Sequence, residues 1–507
     1  MPNEHAPPEP RPIPDSPDFP VTWENPDDAR LPWEYDATHF TGPVPYLESQ
    51  AFWAEVFVGF NAYLESAGYP IRIRAARFNT YIYQAMFPVV PPEEIPEMMG
   101  KVEAATNLEI DRMGSLWKEE WLPEIKQHLA FWDAFDLAGC SLDELMVYVD
   151  ETVARIRELF TLHFAIVSPA YVAMSQFDDL YRDLFGSEGA FDVYRLLQGL
   201  DNETVITDQA LWALSRKVLQ SSEIRQAIKA NGPADIPTAL GNFPEGKAFW
   251  AEFEAFLEER GQRITIWSVT GETWIENPGP PLLNLQDYLD QPDRDMAAER
   301  QALVADREKA ISEARERLQG YPKQAQTEFE RLLVGAQVGT VLTEDHGCWI
   351  DFACTSRLRK VLLEVGRRFA DAGAIQEVDD IFHLSVEEIK QTDLGSSDLL
   401  GTVAERKDEI RKFETVQPPP TLGTDYGMPP ENFMSRAMGK FFGTPPEESE
   451  DPSVLKGHPG SRGKVTATAR VLGSFGDSEK LNPGDVLVAQ TTAPPRGHRC
   501  LQSPERS

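Results

Sequence analysis

Residues Gly457–Pro495 read GHPGSRGKVTATARVLGSFGDSEKLNPGDVLVAQTTAPP and decide how the C-terminal part of the chain folds. Between Lys464 and Leu472, apolar and polar residues alternate with a period of two, which predicts a half-buried β-strand. After a turn at residues 482–484, residues 485–490 form a short apolar run, which predicts a second and more buried strand. The stretch therefore predicts a small β-rich unit.

The same stretch resembles the start of the swivelling phosphohistidine domain of the PEP-utilising, dikinase family, which includes phosphoenolpyruvate synthase, rifampicin phosphotransferase and phenylphosphate synthase. The matching parts are the glycine triplet Gly457, Gly460 and Gly463, an Ala-Arg-Val strand, and Leu-x-x-Gly-Asp-Val-Leu-Val followed by Thr-x-x-Pro. The resemblance implies an incomplete β/β/α swivelling domain over residues 457–495. It also implies transfer of a phosphoryl group from ATP or PEP, through a phosphohistidine, to a small organic acceptor. Mg²⁺ and ATP or PEP are implied as cofactors by the family alone.

The sequence after Pro495 departs from the family pattern. Where the family has a Thr- and Gly-rich loop that carries the phosphohistidine, this chain has a polar tail, residues 496–507, with His498 in an unrelated context. Two interpretations stay open: a truncation by a change of reading frame, and a genuine polar tail. Since the phosphocarrier histidine is absent from this sequence, we expect no catalytic residue of that kind and no phosphotransferase turnover from the chain by itself.

The N-terminal residues 1–45 are rich in Pro and Asp and predict an extended lead-in arm. Trp23 and Trp33 interrupt it, and two tryptophans predict that the arm lies against the body of the protein. Asp36 and His39 complete a W…W-x-x-D-x-x-H-x-x-x-P pattern that resembles the lead-in of phenylphosphate-synthase-like proteins. His39 is interpreted either as a substrate contact or, more simply, as a packing or capping residue.

Residues 46–415 predict one large, mostly helical domain, so the expected fold class is mainly α, with a linker at 416–456 before the swivelling segment. Apolar residues recur at helical spacing from Phe52 to Leu64, and Ser141 is a suitable N-cap for a helix over Leu142–Phe164. The resemblance makes this the acceptor-side domain. Several aromatic residues of this region are interpreted as core or as the lining of a pocket: Trp117, Trp121, Phe131, Trp132 and Phe135.

The most chemically suggestive stretch is Thr343-Glu344-Asp345-His346, followed by Asp351. We expect Thr343 to cap a new helix, with Glu344 and Asp345 in its first turn and His346 and Asp351 near the same end. One imidazole with three carboxylates can bind a metal ion or act as a base with its orienting group, and capping alone is the alternative. The stretch resembles the Glu-Asp-His-x-x-x-x-Asp element that faces the substrate in the family.

Two further elements resemble the family. Arg263 and Glu276 belong to Phe-Leu-x-x-x-Gly-x-Arg and Trp-x-Glu-x-Pro patterns, and they either orient a substrate or fasten a loop to a helix. Val378–Leu384 predicts a short strand, and Ser385 with Glu388 predicts a capping box at the start of the next helix.

Bulk composition limits the partners. A net charge of −34 disfavours nucleic-acid binding, because the chain repels a phosphate backbone. The four cysteines form no C-x-x-C pair, which favours a reducing, cytoplasmic location, and no apolar run is long enough for a membrane span. Neither a Walker A sequence nor an ATP-grasp-like region is present, so a separate ATP-grasp nucleotide-binding subunit is an expected partner, beside the small organic acceptor.

Three functional hypotheses follow. The first is a truncated phosphotransferase component of the dikinase type. The second is a non-catalytic, helical ligand-binding or regulatory subunit that works with a separate ATP-grasp protein. The third is an unrelated helical enzyme that works through His346 and its carboxylates.

Overall fold

The chain is mainly α-helical, which confirms the expected fold class. The computed structural model describes residues 10–14, 16–37, 39–40, 42–186, 192–264, 266–392, 394, 399–427, 430–443, 454, 464–472, 481–482 and 484–489. The glycine triplet, the Thr-x-x-Pro segment, His498 and the tail 496–507 lie outside these residues. Within them, no helix combines the length and the apolar character that a membrane span needs.

The chain divides into two compact units. Unit 1 comprises Met1–Tyr181, Trp267–Gly271 and Pro322–Phe442, and unit 2 comprises Arg182–Ile266, Glu272–Tyr321 and Gly443–Ser507. Both units are discontinuous in sequence. The segment Trp267–Gly271 therefore belongs to unit 1, although the residues on either side of it belong to unit 2.

A five-stranded antiparallel sheet forms part of unit 1. Its strands are β1 (Arg11–Pro12), β2 (Pro32–Tyr35), β3 (Ile71–Phe78), β4 (Tyr81–Pro88) and β5 (Thr421–Asp425), in the spatial order β1-β5-β2-β4-β3. The β3–β4 hairpin turns at Asn79 and Thr80, whose φ angles are 47° and 78°. Two consecutive positive φ angles are what a two-residue type I′ turn requires.

Trp33 lies at the centre of the core beside this sheet. Its side chain is fully buried in one cluster with Phe19 and Tyr83, and its indole Nε1 donates to the carbonyl of Asp28 at 2.8 Å. Trp23 packs edge-on against Phe78, with 5.2 Å between ring centroids. The described part of the N-terminal arm therefore lies against the body, as its tryptophans predicted.

The sheet itself corrects the sequence interpretation. Strands β3 and β4 interrupt the region expected to be mostly helical, β2 comes from the arm, and β5, together with the helix Phe433–Phe442, comes from the expected linker. The pairing is long-range: Trp33 of β2 faces Ala85 on one side and Leu422 on the other. Local periodicity does not indicate which distant segments pair, so the sequence pattern did not predict the strands of this sheet.

Helices make up the rest of unit 1. Their bounds are Tyr46–Glu48, Ala54–Ser66, Ile95–Ile110, Met113–Leu116, Leu122–Ala134, Leu142–Phe185, Lys323–His346, Ala353–Asp371, Val386–Gln391, Leu400–Phe413 and Phe433–Phe442, with 3₁₀-helices at Pro26–Arg30 and Val378–His383. The long helix Leu142–Phe185 runs on into the first residues of unit 2. Three π-helical segments, Ser49–Trp53, Trp117–Trp121 and Gly347–Phe352, each continue directly into an α-helix.

Several predicted helix ends are confirmed. Glu144 N donates to Ser141 Oγ at 3.2 Å, and Ser385 and Glu388 form the expected capping box. The predicted strand Val378–Leu384 is wrong, because Val378–His383 is a 3₁₀-helix. Its first turn is closed by a reciprocal pair of side-chain caps, in which Asp380 accepts the backbone N–H of Glu377 at 3.0 Å. This local capping favours a helical turn over an extended backbone.

Unit 2 contains a smaller helical core. Its helices are Asp192–Arg195, Glu203–Val218, Ser222–Lys229, Ile236–Leu240, Pro244–Arg260, Gly279–Leu289 and Met296–Leu318. The helix Pro244–Arg260 ends before Gly261. Fully buried Phe253, Leu282 and Leu285 belong to one hydrophobic cluster of this unit.

The predicted C-terminal strands are present but shorter. β6 (Ala469–Leu472) and β7 (Val486–Ala489) pair in parallel, with Ala469 opposite Val486. Their expected burial is wrong for the described residues, since Val471 is 76% and Val488 42% exposed. Among these residues the two strands pair only with each other.

Candidate functional site

Two long helices of unit 1 approach closely enough to bring two histidines into contact. A Cβ added at Gly339, in the helix Lys323–His346, would lie 2.8 Å from the carbonyl oxygen of Ala170 in the helix Leu142–Phe185. Only glycine permits that approach. His346 lies seven residues after Gly339, and His163 lies seven residues before Ala170. The two imidazole rings consequently meet edge-to-face, with 4.8 Å between centroids.

A π-helical turn brings Asp351 to the same place. The helix Lys323–His346 does not end at His346 but continues through Gly347–Phe352 into Ala353–Asp371. Such a turn forms i→i+5 hydrogen bonds and often marks functional sites. The expectation that Thr343 caps a new helix is therefore wrong. Thr343 lies inside a continuous helix, and its hydroxyl donates to the carbonyl of Thr340 at 3.0 Å.

His163, His346 and Asp351 form a compact polar cluster. One nitrogen of each imidazole and one oxygen of the carboxylate lie within 4.8 Å of one another. His163 Nδ1 is 2.9 Å from Asp351 Oδ1, and His346 Nε2 is 3.7 Å from Asp351 Oδ2. Both histidines are buried, and the Asp351 side chain is mostly so. We call these three residues the His–His–Asp cluster.

The tautomer of His346 is fixed by the backbone. Its Nδ1–H donates to the carbonyl of Leu342 at 2.7 Å, because a carbonyl oxygen can only accept. The lone pair of Nε2 therefore faces Asp351. Burial lowers the pKa of His346 to about 4, although the charge of Asp351 acts in the opposite direction. His346 is thus a neutral imidazole near pH 7.

Aromatic rings adjoin the cluster, with Trp267 at their centre. The indole of Trp267 lies 5.0 Å from Trp53 and 6.2 Å from Phe160, measured between ring centroids. Phe160 in turn lies 5.1 Å from the ring of His163. Trp53 and Phe160 are buried in the core, and Trp267 is half-buried, so Trp267 is the ring of these three that presents flat apolar surface near the His–His–Asp cluster.

Asp36 and His39 form a second polar pair at Trp267. His39 Nδ1 is 2.5 Å from Asp36 Oδ2, and the His39 ring lies 5.7 Å from those of both Trp267 and Phe442. Burial lowers the pKa of His39, but the hydrogen bond to Asp36 and the charges of Asp36 and Asp351 outweigh it, so the net shift is upward. An imidazole oriented by a carboxylate is the usual arrangement of a general base.

Glu48 holds the segment that carries Trp267. Its carboxyl accepts from the indole Nε1 of Trp53 at 3.0 Å and from the hydroxyl of Ser268 at 2.6 Å. Arg359 donates to the carbonyl of Val269 at 3.0 Å. Burial raises the pKa of Glu48 to about 7, against the lowering effect of its two hydrogen bonds. A buried carboxyl thus positions the central indole of the site.

The remaining residues that the sequence suggested lie in other environments. Glu344 is exposed and Asp345 half-buried in the last turn before His346. In unit 2, Arg263 donates to the carbonyl of Glu203 and to Thr207 Oγ1, so it fastens its loop to the helix Glu203–Val218. Glu276 accepts from the backbone N–H of Thr273 at 3.0 Å. The aromatic candidates include Trp121 and Trp132, which are buried in the core of unit 1.

Two residues were missed by sequence reasoning. His163 lies on the buried stripe of a long helix, where Leu159, Phe160 and Ile166 surround it at helical spacing, and only its polarity within that stripe marked it. Glu48 occupies the first turn of a helix, where acidic residues are common for electrostatic reasons. No local signal distinguished it from an ordinary capping residue.

Comparison of the sequence with known proteins finds a matching family model and several relatives. A family model described as the fourth domain of rifampicin phosphotransferase matches residues 163–344, a range that begins at His163. The chain is 34% identical over 496 residues to chondramide synthase cmdD of Chondromyces crocatus, which covers 95% of the chain and 13% of that protein. The family model and the phosphotransferase relatives described next support similarity to the PEP-utilising, dikinase-like family.

Two of the relatives carry the name phosphotransferase. The chain is 27% identical over 334 residues to an uncharacterised phosphotransferase, YvkC, of Bacillus subtilis (strain 168), covering 66% of the chain and 39% of that protein. It is 24% identical over 339 residues to the rifampicin phosphotransferase of Streptomyces sviceus, covering 66% of the chain and 37% of that protein. The chain therefore spans well under half the length of these curated relatives.

Proposed function

We propose that this chain is the acceptor-binding part of a dikinase-like phosphotransferase. The observation that carries the proposal is the presence, around Trp267, of two polar groups beside one aromatic surface: the His–His–Asp cluster and the Asp36–His39 pair. The named phosphotransferase relatives supply the reaction class. A flat aromatic surface favours an acceptor whose hydroxyl is carried on a planar, apolar framework.

The transfer step follows from the chemistry of a phosphohistidine donor. The acceptor oxygen attacks the phosphorus atom, and an O–P bond forms as the N–P bond of the donor breaks. The hydroxyl proton passes to Nε2 of His39, whose Nδ1–H is held by Asp36. The donor is an imidazole-bound phosphoryl group, carried by a swivelling domain and charged from ATP or PEP by a nucleotide-binding partner. For unit 1 the task is positioning and proton transfer.

The family's Mg²⁺ does not suit the His–His–Asp cluster. Mg²⁺ prefers oxygen ligands in octahedral geometry, whereas two of the three donors here are imidazole nitrogens. The proposal therefore assigns Mg²⁺ and ATP to the partner that charges the donor.

The proposal is tested with a small-molecule donor, because it concerns acceptor binding. The full chain is mixed with N-phosphoimidazole and a panel of phenols and naphthols, and phosphate ester formation is followed by ³¹P NMR. We expect ester formation with at least one aromatic hydroxyl. His39→Gln should lower its rate about 10²- to 10⁴-fold, which is the usual contribution of a general base.

Binding is measured separately by quenching of tryptophan fluorescence. Trp267→Leu should abolish most of the quenching, and Trp23→Phe, which changes an indole beside the sheet, should leave it intact. Binding without ester formation would favour the non-catalytic ligand-binding subunit. If no panel member bound at millimolar concentration, or if Trp267→Leu left binding unchanged, the assignment of the acceptor site would be wrong.

A further inference from the structure

We propose that the His–His–Asp cluster binds one divalent transition-metal ion of the Zn²⁺ type, held by His163, His346 and Asp351. Metal binding stands on the geometry alone. Only the role given to the ion below rests on the proposed function.

The donor atoms are spaced for such an ion. Zn²⁺ bonds nitrogen and carboxylate oxygen at about 2.0–2.2 Å, so donors at tetrahedral angles are about 3.4 Å apart. His163 Nδ1 lies 2.9 Å from Asp351 Oδ1, and His346 Nε2 lies 3.7 Å from Asp351 Oδ2, so the two distances to this carboxylate lie on either side of that value. All three donor atoms lie within 4.8 Å of one another, so small side-chain rotations complete the site.

The hydrogen bond of His346 is a second, independent indication. Metal-ligating histidines almost always donate their other ring N–H to a carboxylate, a backbone carbonyl or water, which fixes the ring and the tautomer. His346 Nδ1–H does this with the carbonyl of Leu342 at 2.7 Å. The π-helical turn gives Asp351 its place opposite Nε2 of His346. The hydrogen bond to Leu342 thus orients His346, and the π-helical turn orients Asp351, before any ion binds.

The ligand set also specifies the kind of ion and its role. Two imidazoles and a carboxylate suit Zn²⁺ and its transition-metal neighbours better than Mg²⁺ or Ca²⁺. Three protein ligands leave a fourth position open, as in catalytic zinc sites. Two neutral imidazoles, one carboxylate and a divalent ion sum to one positive charge, which favours an anionic oxygen. In the proposed function this oxygen is the phenolate formed when the acceptor hydroxyl loses its proton.

The test uses the tag-free full chain, dialysed against EDTA and then freed of chelator. Titration with Co²⁺, followed by visible absorption, should give one equivalent bound with the intense bands of a low-symmetry site, and Zn²⁺ should displace it. Asp351→Asn and His346→Gln should each weaken binding by about 100-fold or more. His128→Gln, which changes a buried histidine elsewhere in unit 1, should leave binding unchanged.

Thermal unfolding checks the fold of each variant and gives a second readout. A bound ion raises the midpoint of the wild-type protein, and the rise should vanish in Asp351→Asn. Wild-type protein that binds neither Co²⁺ nor Zn²⁺ below about 100 µM, or variants that bind as tightly as wild type, would overturn the inference. Stoichiometric metal without acceptor binding would sustain the metal site and reject the proposed function, and acceptor binding by protein that takes up neither Co²⁺ nor Zn²⁺ would do the reverse.

Discussion

Replacing Glu48 by glutamine is expected to remove a pH dependence of stability that the burial of this carboxyl creates. Burial raises its pKa from 4.5 to about 7, so between these values the folded state keeps a proton that the unfolded state has released. The free energy of unfolding therefore falls as the pH rises from 4.5 to about 7, and it levels off above that. Such a group costs roughly 1 kcal/mol at pH 5 and roughly 3 kcal/mol at pH 8.

Glutamine imitates the protonated carboxyl at every pH. Its carbonyl can accept from Trp53 Nε1, and its amide can donate to Ser268 Oγ, which keeps both contacts of Glu48. The variant should gain about 2–3 kcal/mol relative to wild type between pH 5 and pH 8. Exposed Glu119→Gln is the control and should show no such trend.

The assay is urea unfolding at half-unit pH intervals, followed by far-UV circular dichroism, with the slope m compared between variants. A difference between wild type and Glu48→Gln that stayed constant from pH 5 to pH 8 would refute the reasoning. It would mean that the carboxyl is ionised in the folded state and that its burial is compensated by donors beyond Trp53 and Ser268.

Two pairs of variants test the packing of unit 1. Gly339→Ala should destabilise the protein by about 1–3 kcal/mol through a backbone clash, whereas Gly100→Ala, with open space around its Cβ, should stabilise it by up to about 1 kcal/mol; equal effects in chemical denaturation would contradict the helix contact. Lys407→Met leaves the buried carboxylate of Asp380 without its cation and should cost about 2 kcal/mol at pH 7, because Lys407 is partly exposed. Lys101→Met breaks an exposed pair with Glu97 and should leave stability unchanged within error, so similar losses for the two lysines would contradict the burial of Asp380.

Local patterns predicted the helices of this chain better than they predicted its sheet. The caps at Ser141 and Ser385 depend on neighbouring residues, and each lies where the sequence indicated. The sheet depends on Trp33 meeting both Ala85 and Leu422 across long stretches of chain. Burial of the paired strands, rather than the strand propensity of their residues, stabilises such a sheet. A short segment of sequence therefore gives only a weak indication of it.

The candidate site shows the same division between local and long-range information. Asp36 and His39 are three residues apart in sequence, so a local pattern is enough to indicate the pair that their hydrogen bond forms. His163 joins His346 and Asp351 only because Gly339 permits two helices to meet, and His163 and Asp351 are 188 residues apart in sequence. Contacts of this kind are properties of packing, so composition and periodicity could not supply the second imidazole.

His346 and Asp351 lie close together as expected, but the structural cause differs from the expected one. A capped first turn was expected to bring the two residues to one helix end, but the helix runs through this region without a break. In a regular α-helix, residues five apart point about 140° away from each other, so the same spacing would separate the imidazole from the carboxylate. The π-helical turn widens the helix at Gly347–Phe352 and returns Asp351 to the face of His346. At Gly347–Phe352 a less favourable hydrogen-bond pattern thus unites three polar side chains, which is the physical argument for a functional rather than a structural cluster.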